Sequence, residues 1–480
     1  MRMSREKMYG RLLAEDAAFN GRFFTGVLTT GIYCLPSCKA RKPKAENVRF
    51  FPDCSAARAA GLRPCRKCHP DDFERGADPV LETIEALVAE LRREPGRFPS
   101  VQALVRRSGF GATRLVELLR QHYHATPAEL LLRARLAWVR GRLRCGKAAL
   151  AELAAEAGFE SLSTFHEQFR TSTGLSPGEY RGLREGEPFV LTLPGDYSLA
   201  HLRRAFARDG ESRSQRWKAG EQVLELLLPL RAGVIPVSIQ LLDTAVRVSP
   251  GAGAAAADMA ELHGRVAGML GLEQNAAGFA RLARKLGFQR LVEGREGLRI
   301  SLTPSVFEGL VWSIIGQQIN FAFACTLKAR LTALCNPAGP EGLVPPPSAA
   351  DIARLAPEQL QPLQFSRQKA GYLVAVAKLV ADGSLDLESL AGASATRAER
   401  TLLAVRGLGP WSVNYLMMRA LGFADCLPLG DTGVTSGLQA LCRLEERPDA
   451  DTTRRLMSPF SPYRSLATAH LWQFLQAAPE

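Results

Sequence analysis

Ala404-Val-Arg-Gly-Leu-Gly-Pro-Trp-Ser-Val-Asn-Tyr-Leu-Met-Met-Arg-Ala-Leu421 joins one helical segment to another through a Gly-x-Gly turn. Gly407 and Gly409 permit a tight reversal, and Pro410 falls in the first turn of the next helix, where its missing N–H costs nothing. Backbone N–H groups at such a turn point outward and can hold a phosphate without a side chain. Twenty residues beyond Trp411, Leu427-Pro-Leu-Gly-Asp431-Thr-Gly-Val434 brings an aspartate to the head of a further helix. As isolated patterns, these describe a structural turn and a helix N-cap.

The whole chain has 480 residues, which at roughly 100–200 residues per domain implies three or four domains. A hydrophobic share of 46% and a charged share of 23% exclude wholesale disorder, collagen and coiled-coil fibre. The formal charge of +13 favours a polyanionic partner, with nucleic acid foremost. No stretch approaches the roughly 18 apolar residues needed to span a bilayer, and no apolar run follows the basic start, so a reducing cytoplasm is expected. Ten cysteines are too few for a disulfide scaffold, and four cluster in one short region.

Composition divides the chain into four units. Residues 1–76 are rich in aromatic, Cys, Pro and basic residues, and 78–185 turn to Leu, Ala and Arg with helical periodicity. Phe189–Leu193, Glu221–Pro229 and Val234–Val248 are β-rich runs within 186–300, where Gly251–Asp258 reads as a loop. Residues 301–480 read helical apart from a Pro-rich connector, Pro337–Pro347. The expected class is multidomain and mainly α with α+β parts. It comprises a small α+β domain, an all-α domain, a small antiparallel-sheet α+β domain and a second all-α domain.

Cys34-x3-Cys38 and Cys65-x2-Cys68 are two chelating pairs that fit a tetrahedral thiolate site, with zinc the expected ion. Taken alone, such pairs describe a structural staple. The words around them, Thr29-Thr-Gly-Ile-Tyr-Cys-Leu-Pro-Ser-Cys38, Glu46-Asn-Val-Arg-Phe-Phe51 and Gly61-Leu-Arg-Pro-Cys-Arg-Lys-Cys68, resemble the amino-terminal domain of the Ada adaptive-response family. That resemblance implies transfer of a methyl group from a DNA methylphosphotriester to Cys34, with Cys38, Cys65 and Cys68 completing the zinc shell. Leu35 stands where the family commonly has Arg. Arg41 and Lys42 are candidate phosphate contacts. Four thiolates on Zn²⁺ sum to about −2 and methylation of one leaves about −1, so methyl transfer should tighten phosphate binding.

Val101–Leu115 and Leu150–Phe165 share a helix, a Gly-containing turn and a second helix opening on small polar residues, 49 residues apart counted from Gly109 to Gly158. One copy alone describes a helical bundle. Two copies, closed by Phe169-Arg-Thr-Ser-Thr-Gly-Leu-Ser-Pro-Gly-Glu-Tyr-Arg181, resemble an AraC-type DNA-binding domain. The resemblance implies recognition helices over about 112–122 and 161–171, with Thr113, Arg114, Ser163, Thr164 and His166 as contact candidates.

The Gly-x-Gly turn and Asp431, together with Phe307-Glu-Gly-Leu-Val-Trp-Ser-Ile-Ile-Gly-Gln-Gln-Ile319 and Tyr463-Arg-Ser-Leu-Ala-Thr-Ala-His-Leu-Trp472, resemble the helix-hairpin-helix glycosylase superfamily. The nearer likeness is to the AlkA type of 3-methyladenine DNA glycosylase. It implies Asp431 as the catalytic carboxylate and Gly407 and Gly409 as DNA contacts. It also implies a base pocket of Trp411, Tyr415 and Tyr463, with Gln318 at the wedge region. Trp411 stands where strand-cleaving relatives have a Schiff-base Lys, so a monofunctional hydrolase is expected. Only Cys442 follows Asp431, so no iron–sulfur cluster is expected.

The combined expectation is a cytoplasmic, nucleoid-associated alkylation-damage protein acting on double-stranded DNA. It would unite a glycosylase for alkylated purines, a one-zinc methyl acceptor and a transcriptional regulator, with RNA polymerase a further candidate partner and no membrane. Two alternatives stay open: a transcriptional activator that keeps the glycosylase fold as a DNA clamp, and a zinc-stapled nonspecific binder.

Overall fold

A computed structural model describes residues 3–16, 19–76, 78–251, 259–336 and 342–476. The expected loop at 252–258 and the first part of the Pro-rich connector, 337–341, lie outside the described residues. The chain forms two compact units, residues 1–88 and 89–480.

The first unit is built on a four-stranded sheet of β1 (Phe24–Val27), β2 (Ile32–Cys34), β3 (Val48–Phe51) and β4 (Arg63–Pro64), in the order β3-β1-β2-β4. Phe24, Tyr33, Leu35, Phe51 and Leu62 form its core. The parallel register of β2 with β4 sets Tyr33 opposite Pro64. Cys34 and Cys65 follow directly, so the strand pairing brings the two cysteine pairs side by side. This is the convergence that their spacing alone only suggested.

The second unit opens with the two helix-turn-helices. Helices Val101–Ser108 and Ala112–Tyr123 form the first, and Leu150–Glu156 and Leu162–Thr173 the second, bridged by the long helix Pro127–Cys145. Gly109 and Gly158 hold φ of +71° and +89°, a backbone region that costs a side chain strain. Ser100 and Ser161 cap the helices Val101–Ser108 and Leu162–Thr173, accepting from Ala103 and Thr164 N–H groups.

A five-stranded antiparallel sheet follows: β5 (Phe189–Thr192), β6 (Gln215–Lys218), β7 (Val223–Leu230), β8 (Gly233–Leu241) and β9 (Ala245–Pro250), in the order β5-β9-β8-β7-β6. The apolar run expected over Val234–Val248 is two strands, because Leu242 N–H bonds back to Ala245 and closes a turn between them. β6 carries no apolar alternation, so its sequence does not mark it as a strand.

The domain boundaries drawn from composition do not coincide with breaks between cores. Phe165, Phe169 and Tyr180 of the second helix-turn-helix share one core with Leu191, Leu224, Ile239 and Val246 of the sheet. Likewise Phe279, Leu291, Val292 and Ile300, placed by composition in the sheet domain, pack into the core of the carboxy-terminal helices. A composition shift marks where secondary structure changes, whereas a core forms wherever apolar faces meet.

Buried polar groups stitch these segments together. Asp425, 6% exposed, takes a bidentate pair from Arg464, Nε to Oδ1 at 2.8 Å and Nη2 to Oδ2 at 2.9 Å, and its backbone N–H donates to His124 Nδ1 at 3.1 Å. His263 Nε2 donates to the Thr173 carbonyl at 2.7 Å, and His470 Nδ1 to the Leu291 carbonyl at 3.2 Å. Burial pushes His124 and His263 down from 6.5 to about 4, and His470 to about 3. These rings are held neutral when folded and take up protons when unfolded. Their stabilisation is therefore complete above pH 6.5 and drains away as pH falls through 4, by up to about 1.4 kcal/mol per pH unit for each ring. Thermal melts of the second unit between pH 7 and 4 should show this decline, and a pH-independent melting temperature would contradict it.

Candidate active site and metal centre

The helices Ala395–Leu403 and Pro410–Arg419 are joined by the turn that the glycines require. Gly407 sits at φ +99° with its Cα against the Tyr372 ring, leaving no room for a side chain. Its carbonyl accepts from Gln317 Nε2 at 2.9 Å, and the same amide reaches Ser412 Oγ at 2.9 Å. Gly409 caps the second helix without a side-chain hydrogen bond, which leaves the first-turn N–H groups open to an anion.

Asp431 has two jobs at once. It is the N-cap of helix Thr432–Cys442, with Oδ1 accepting from Val434 N–H at 3.0 Å. Oδ1 also accepts from Trp472 Nε1 at 2.9 Å, and Oδ2 from Trp411 Nε1 at 3.1 Å. Three donors from three chain segments thus orient one half-buried carboxylate. Oδ1 carries two of them, whereas Oδ2 carries one and keeps a lone pair for a further donor.

Trp411 stacks on Tyr415 at 5.2 Å and 24°, and Tyr415 meets Trp472 at 6.1 Å. Trp312 Nε1 donates to the Tyr415 hydroxyl at 3.0 Å, and Trp312 packs against Phe321 at 5.4 Å. Trp312, Phe321 and Tyr415 line a cavity of about 100 Å³ whose wall also includes Phe206, Arg208 and Asp209 of the sheet domain.

The structure brings Trp411 and Tyr415 to Asp431 but not Tyr463. Helix Arg464–Gln476 begins after Tyr463, so that ring turns away. Its hydroxyl accepts from Asn275 Nδ2 at 3.2 Å, and it lines a separate cavity of about 270 Å³ with His124 and Asn275. From this stretch the ring that joins Trp411 at the carboxylate is Trp472, on the helix itself. It stood in the same quoted stretch, but only the helix start decides which of the two rings points inward. Gln318 is also absent from the aromatic cavity; it is exposed at φ +56°, while its neighbour Gln317 pins the hairpin.

In the first unit the four sulfurs of Cys34, Cys38, Cys65 and Cys68 all lie within 4.8 Å of one another, with Cys38 and Cys65 Sγ at 4.0 Å. Tetrahedral Zn–S bonds of about 2.3 Å require S···S separations of roughly 3.8 Å, so this cluster fits a single zinc ion. Backbone N–H groups of Leu35 and Lys67 donate to Cys68 and Cys65 Sγ at 3.3 and 3.4 Å. Without a cation, hydrogen bonding to Cys38 and Cys68, then burial, push the Cys34 thiol far up, so four thiolates cannot persist there unaided. Leu35 is buried in the core at 5% exposure, which removes it from any phosphate contact. Arg41 is exposed, but the Lys42 ammonium is engaged by the Cys38 carbonyl and by Glu15 Oε1 at 3.1 Å.

Three family models match in order: the metal-binding domain of Ada over residues 7–71, a helix-turn-helix domain over 104–182, and the helix-hairpin-helix superfamily of base excision DNA repair proteins over 311–462. A Mycobacterium tuberculosis protein provisionally described as a bifunctional transcriptional activator and DNA repair enzyme is 28% identical, across 98% of this chain and 96% of its own length. A Bacillus subtilis protein provisionally described as a DNA-3-methyladenine glycosylase is 30% identical, across 40% of this chain and 67% of its own. The chain belongs to the helix-hairpin-helix base excision repair superfamily. In front of that domain it carries an Ada-type zinc domain and a helix-turn-helix domain. The 3-methyladenine DNA glycosylase from Archaeoglobus fulgidus shares the fold, with a TM-score of 0.53 over 60% of this chain and 98% of that one at 22% identity.

In this helix-hairpin-helix protein the candidate helix-turn-helix residues lie on the surface or close to it. Thr113, Arg114, Ser163 and Thr164 are exposed at the starts of their helices, with Arg114 paired to Glu117 at 3.0 Å. His166 is half-buried against Phe165. The far end of helix Ala112–Tyr123 is docked: His122 Nδ1 meets Thr396 Oγ1 at 2.8 Å, on the first helix of the hairpin.

Proposed function

We propose that the second unit is a monofunctional DNA glycosylase that hydrolyses the N-glycosidic bond of alkylated purines of the 3-methyladenine type. The observation that carries this reading is the Asp431 carboxylate, oriented by the indole N–H groups of Trp411 and Trp472 beside an aromatic cleft. An alkylated purine already bears positive charge and leaves readily, so one carboxylate suffices. Asp431 stabilises oxocarbenium character at the sugar, and the lone pair left on Oδ2 accepts from the attacking water. The base must first leave the stack, at a cost of a few kcal/mol, with the hairpin N–H groups holding the backbone. Aromatic faces then recognise a cationic base by roughly 0.5–2 kcal/mol each.

The first unit is a methyl acceptor in the same reading. A bound zinc ion supplies the positive charge that keeps Cys34, Cys38, Cys65 and Cys68 as thiolates. The Cys34 thiolate attacks the methyl carbon of a methylphosphotriester, an S–C bond forms, the C–O bond breaks, and the phosphodiester leaves as an anion. Loss of one negative charge then favours phosphate contact, and the helix-turn-helix residues Thr113, Arg114, Ser163, Thr164 and His166 read promoter DNA. RNA polymerase would be the downstream partner, and nucleoid DNA in the cytoplasm the place of action. No helix among the described residues is long and apolar enough to cross a membrane.

One incubation tests both halves. Full-length protein mixed with methylated duplex DNA is expected to release free methylated purine and to gain one methylene unit of mass on the Cys34 peptide. Release without Cys34 modification removes the acceptor role. A methyl found on Cys68, the half-buried member of the cluster, would reassign the nucleophile.

A further inference from the structure

Helices Val306–Ile315 and Phe321–Cys335 are joined by a short loop, residues 316–320, that runs beside the hairpin. Its far end is fixed by Asn320, whose Oδ1 accepts from Phe323 N–H at 2.8 Å. Its near end is fixed by Lys369, whose ammonium donates to the Ile315 carbonyl at 2.8 Å. Between them Gln318 is exposed and holds φ of +56°, a backbone region that strains a residue other than glycine. Such strain persists only where neighbouring contacts enforce it, and it collects where function needs a fixed shape.

Gln317 supplies a contact of that kind. Its Nε2 directs both hydrogens at the hairpin, one to the Gly407 carbonyl at 2.9 Å and one to Ser412 Oγ at 2.9 Å. The Gly407 carbonyl can only accept, so the amide must face it nitrogen-first. Ser412 is 2% exposed and passes its own hydrogen to the Ser313 carbonyl at 3.4 Å, back on the helix that leads into the loop. A closed circuit therefore runs from that helix through Gln317 to the hairpin and back. Gly407 has no slack within it, since the Tyr372 ring fills the space that a side chain would need.

The loop also touches the support of the carboxylate. A side-chain carbon placed on Gly316 would stand 3.7 Å from the Trp411 ring, and Trp411 Nε1 donates to Asp431. The hairpin N–H groups, the exposed Gln318 and the indole that orients Asp431 are thus fixed relative to one another. Extruding a base costs stacking and pairing energy, least for a base already unpaired. A loop locked to the phosphate grip meets the stack in the same motion that docks the backbone. A loose one must be ordered anew at each encounter.

We infer that Gln317 is a positioning residue for base extrusion: its amide locks the loop that carries Gln318 to the phosphate-holding hairpin, so that the two engage the duplex as one body. The inference deepens the glycosylase reading and rests on it.

The test is single-turnover release of 3-methyladenine by the full chain from two duplexes, one with the damaged base paired to thymine and one with it opposite an abasic residue. Gln317→Met keeps the length and loses both hydrogen bonds, whereas Gln317→Glu keeps the size and turns an oxygen toward the Gly407 carbonyl. In each variant, release from the paired site is expected to fall roughly tenfold or more, and release from the unpaired site by no more than about twofold. A purely structural or chemical role would lower both rates together, and a paired-to-unpaired ratio that stays within about twofold overturns the inference. In a Gln318→Ala background, Gln317→Met is expected to add less than about twofold to the loss, since the lock then has no side chain to deliver; full additivity also overturns it. No release by the unaltered protein, or release that survives Asp431→Asn, sinks the glycosylase reading itself. Abolition by Asp431→Asn with an unmoved ratio in the Gln317 variants sinks only the role of Gln317.

Discussion

Asp431→Asn is expected to lower release of methylated purine by about 10²–10³-fold or more while leaving DNA binding and the fold in place. The substitution is nearly isosteric. Asn retains an oxygen to accept from Val434 N–H and Trp472 Nε1, so the helix cap survives. What changes is the other atom, where an NH₂ would face the Trp411 indole N–H in place of the Oδ2 that now accepts from it at 3.1 Å. That atom also loses its lone pair for water, and the group loses the negative charge that answers oxocarbenium character. A factor of 10³ corresponds to about 4 kcal/mol of transition-state stabilisation, within the range of one preorganised electrostatic group. Single-turnover release with affinity for an abasic duplex measured in parallel checks the result. Wild-type release by the variant would remove Asp431 from the chemistry, whereas absence of free methylated purine with the unaltered protein would favour the clamp reading, in which the fold grips DNA without cutting a base from it.

The second large effect concerns the cysteine cluster. Cys38→Ser, or prolonged chelation, is expected to unfold the first unit around its sheet and to abolish methyl uptake on Cys34, while base release by the second unit continues. The sheet contributes a core of only a few large side chains, Phe24, Tyr33, Leu35, Phe51 and Leu62. A domain of that size needs a staple, and structural zinc supplies about 10–16 kcal/mol of apparent binding free energy that is also folding free energy. With one sulfur lost, the cluster offers a zinc ion an incomplete thiolate shell. Amide hydrogen exchange across β1 to β4 reads the outcome directly. Protection that persists in the metal-free protein would show that the apolar core holds the unit alone and that zinc serves only the chemistry.

Much of the site was legible before any coordinates. The four cysteines, the hairpin glycines and Asp431 stood out because the geometry they take depends on residue type and short-range spacing: sulfurs that cluster, absent side chains for a turn, a carboxylate ahead of a helix. Gly109 and Gly158 likewise took the positive φ their turns demand. The base cleft was only half legible. Trp411 and Tyr415 lie four residues apart on one helix, so they share a face and stack. Tyr463 and Trp472 were both in view, yet which of them reaches Asp431 depends on where helix Arg464–Gln476 begins, and helix ends are the part of a pattern that sequence defines least.

What the sequence by itself determined is chemistry that travels with residue type and local backbone: the thiolate cluster, the paired helix-turn-helices, the glycine hairpin and the capping aspartate. Only the tertiary structure decided what lies across chain separations of a hundred residues or more. Arg208 and Asp209 come from the sheet domain into the cleft that Tyr415 lines, and His122 docks on Thr396. One core runs through the helix-turn-helix and the sheet, where composition drew a boundary. The reason is physical. Local periodicity records which face of an element is apolar, but any apolar face can serve several partners, and the choice is made by the mutual fit of all of them at once.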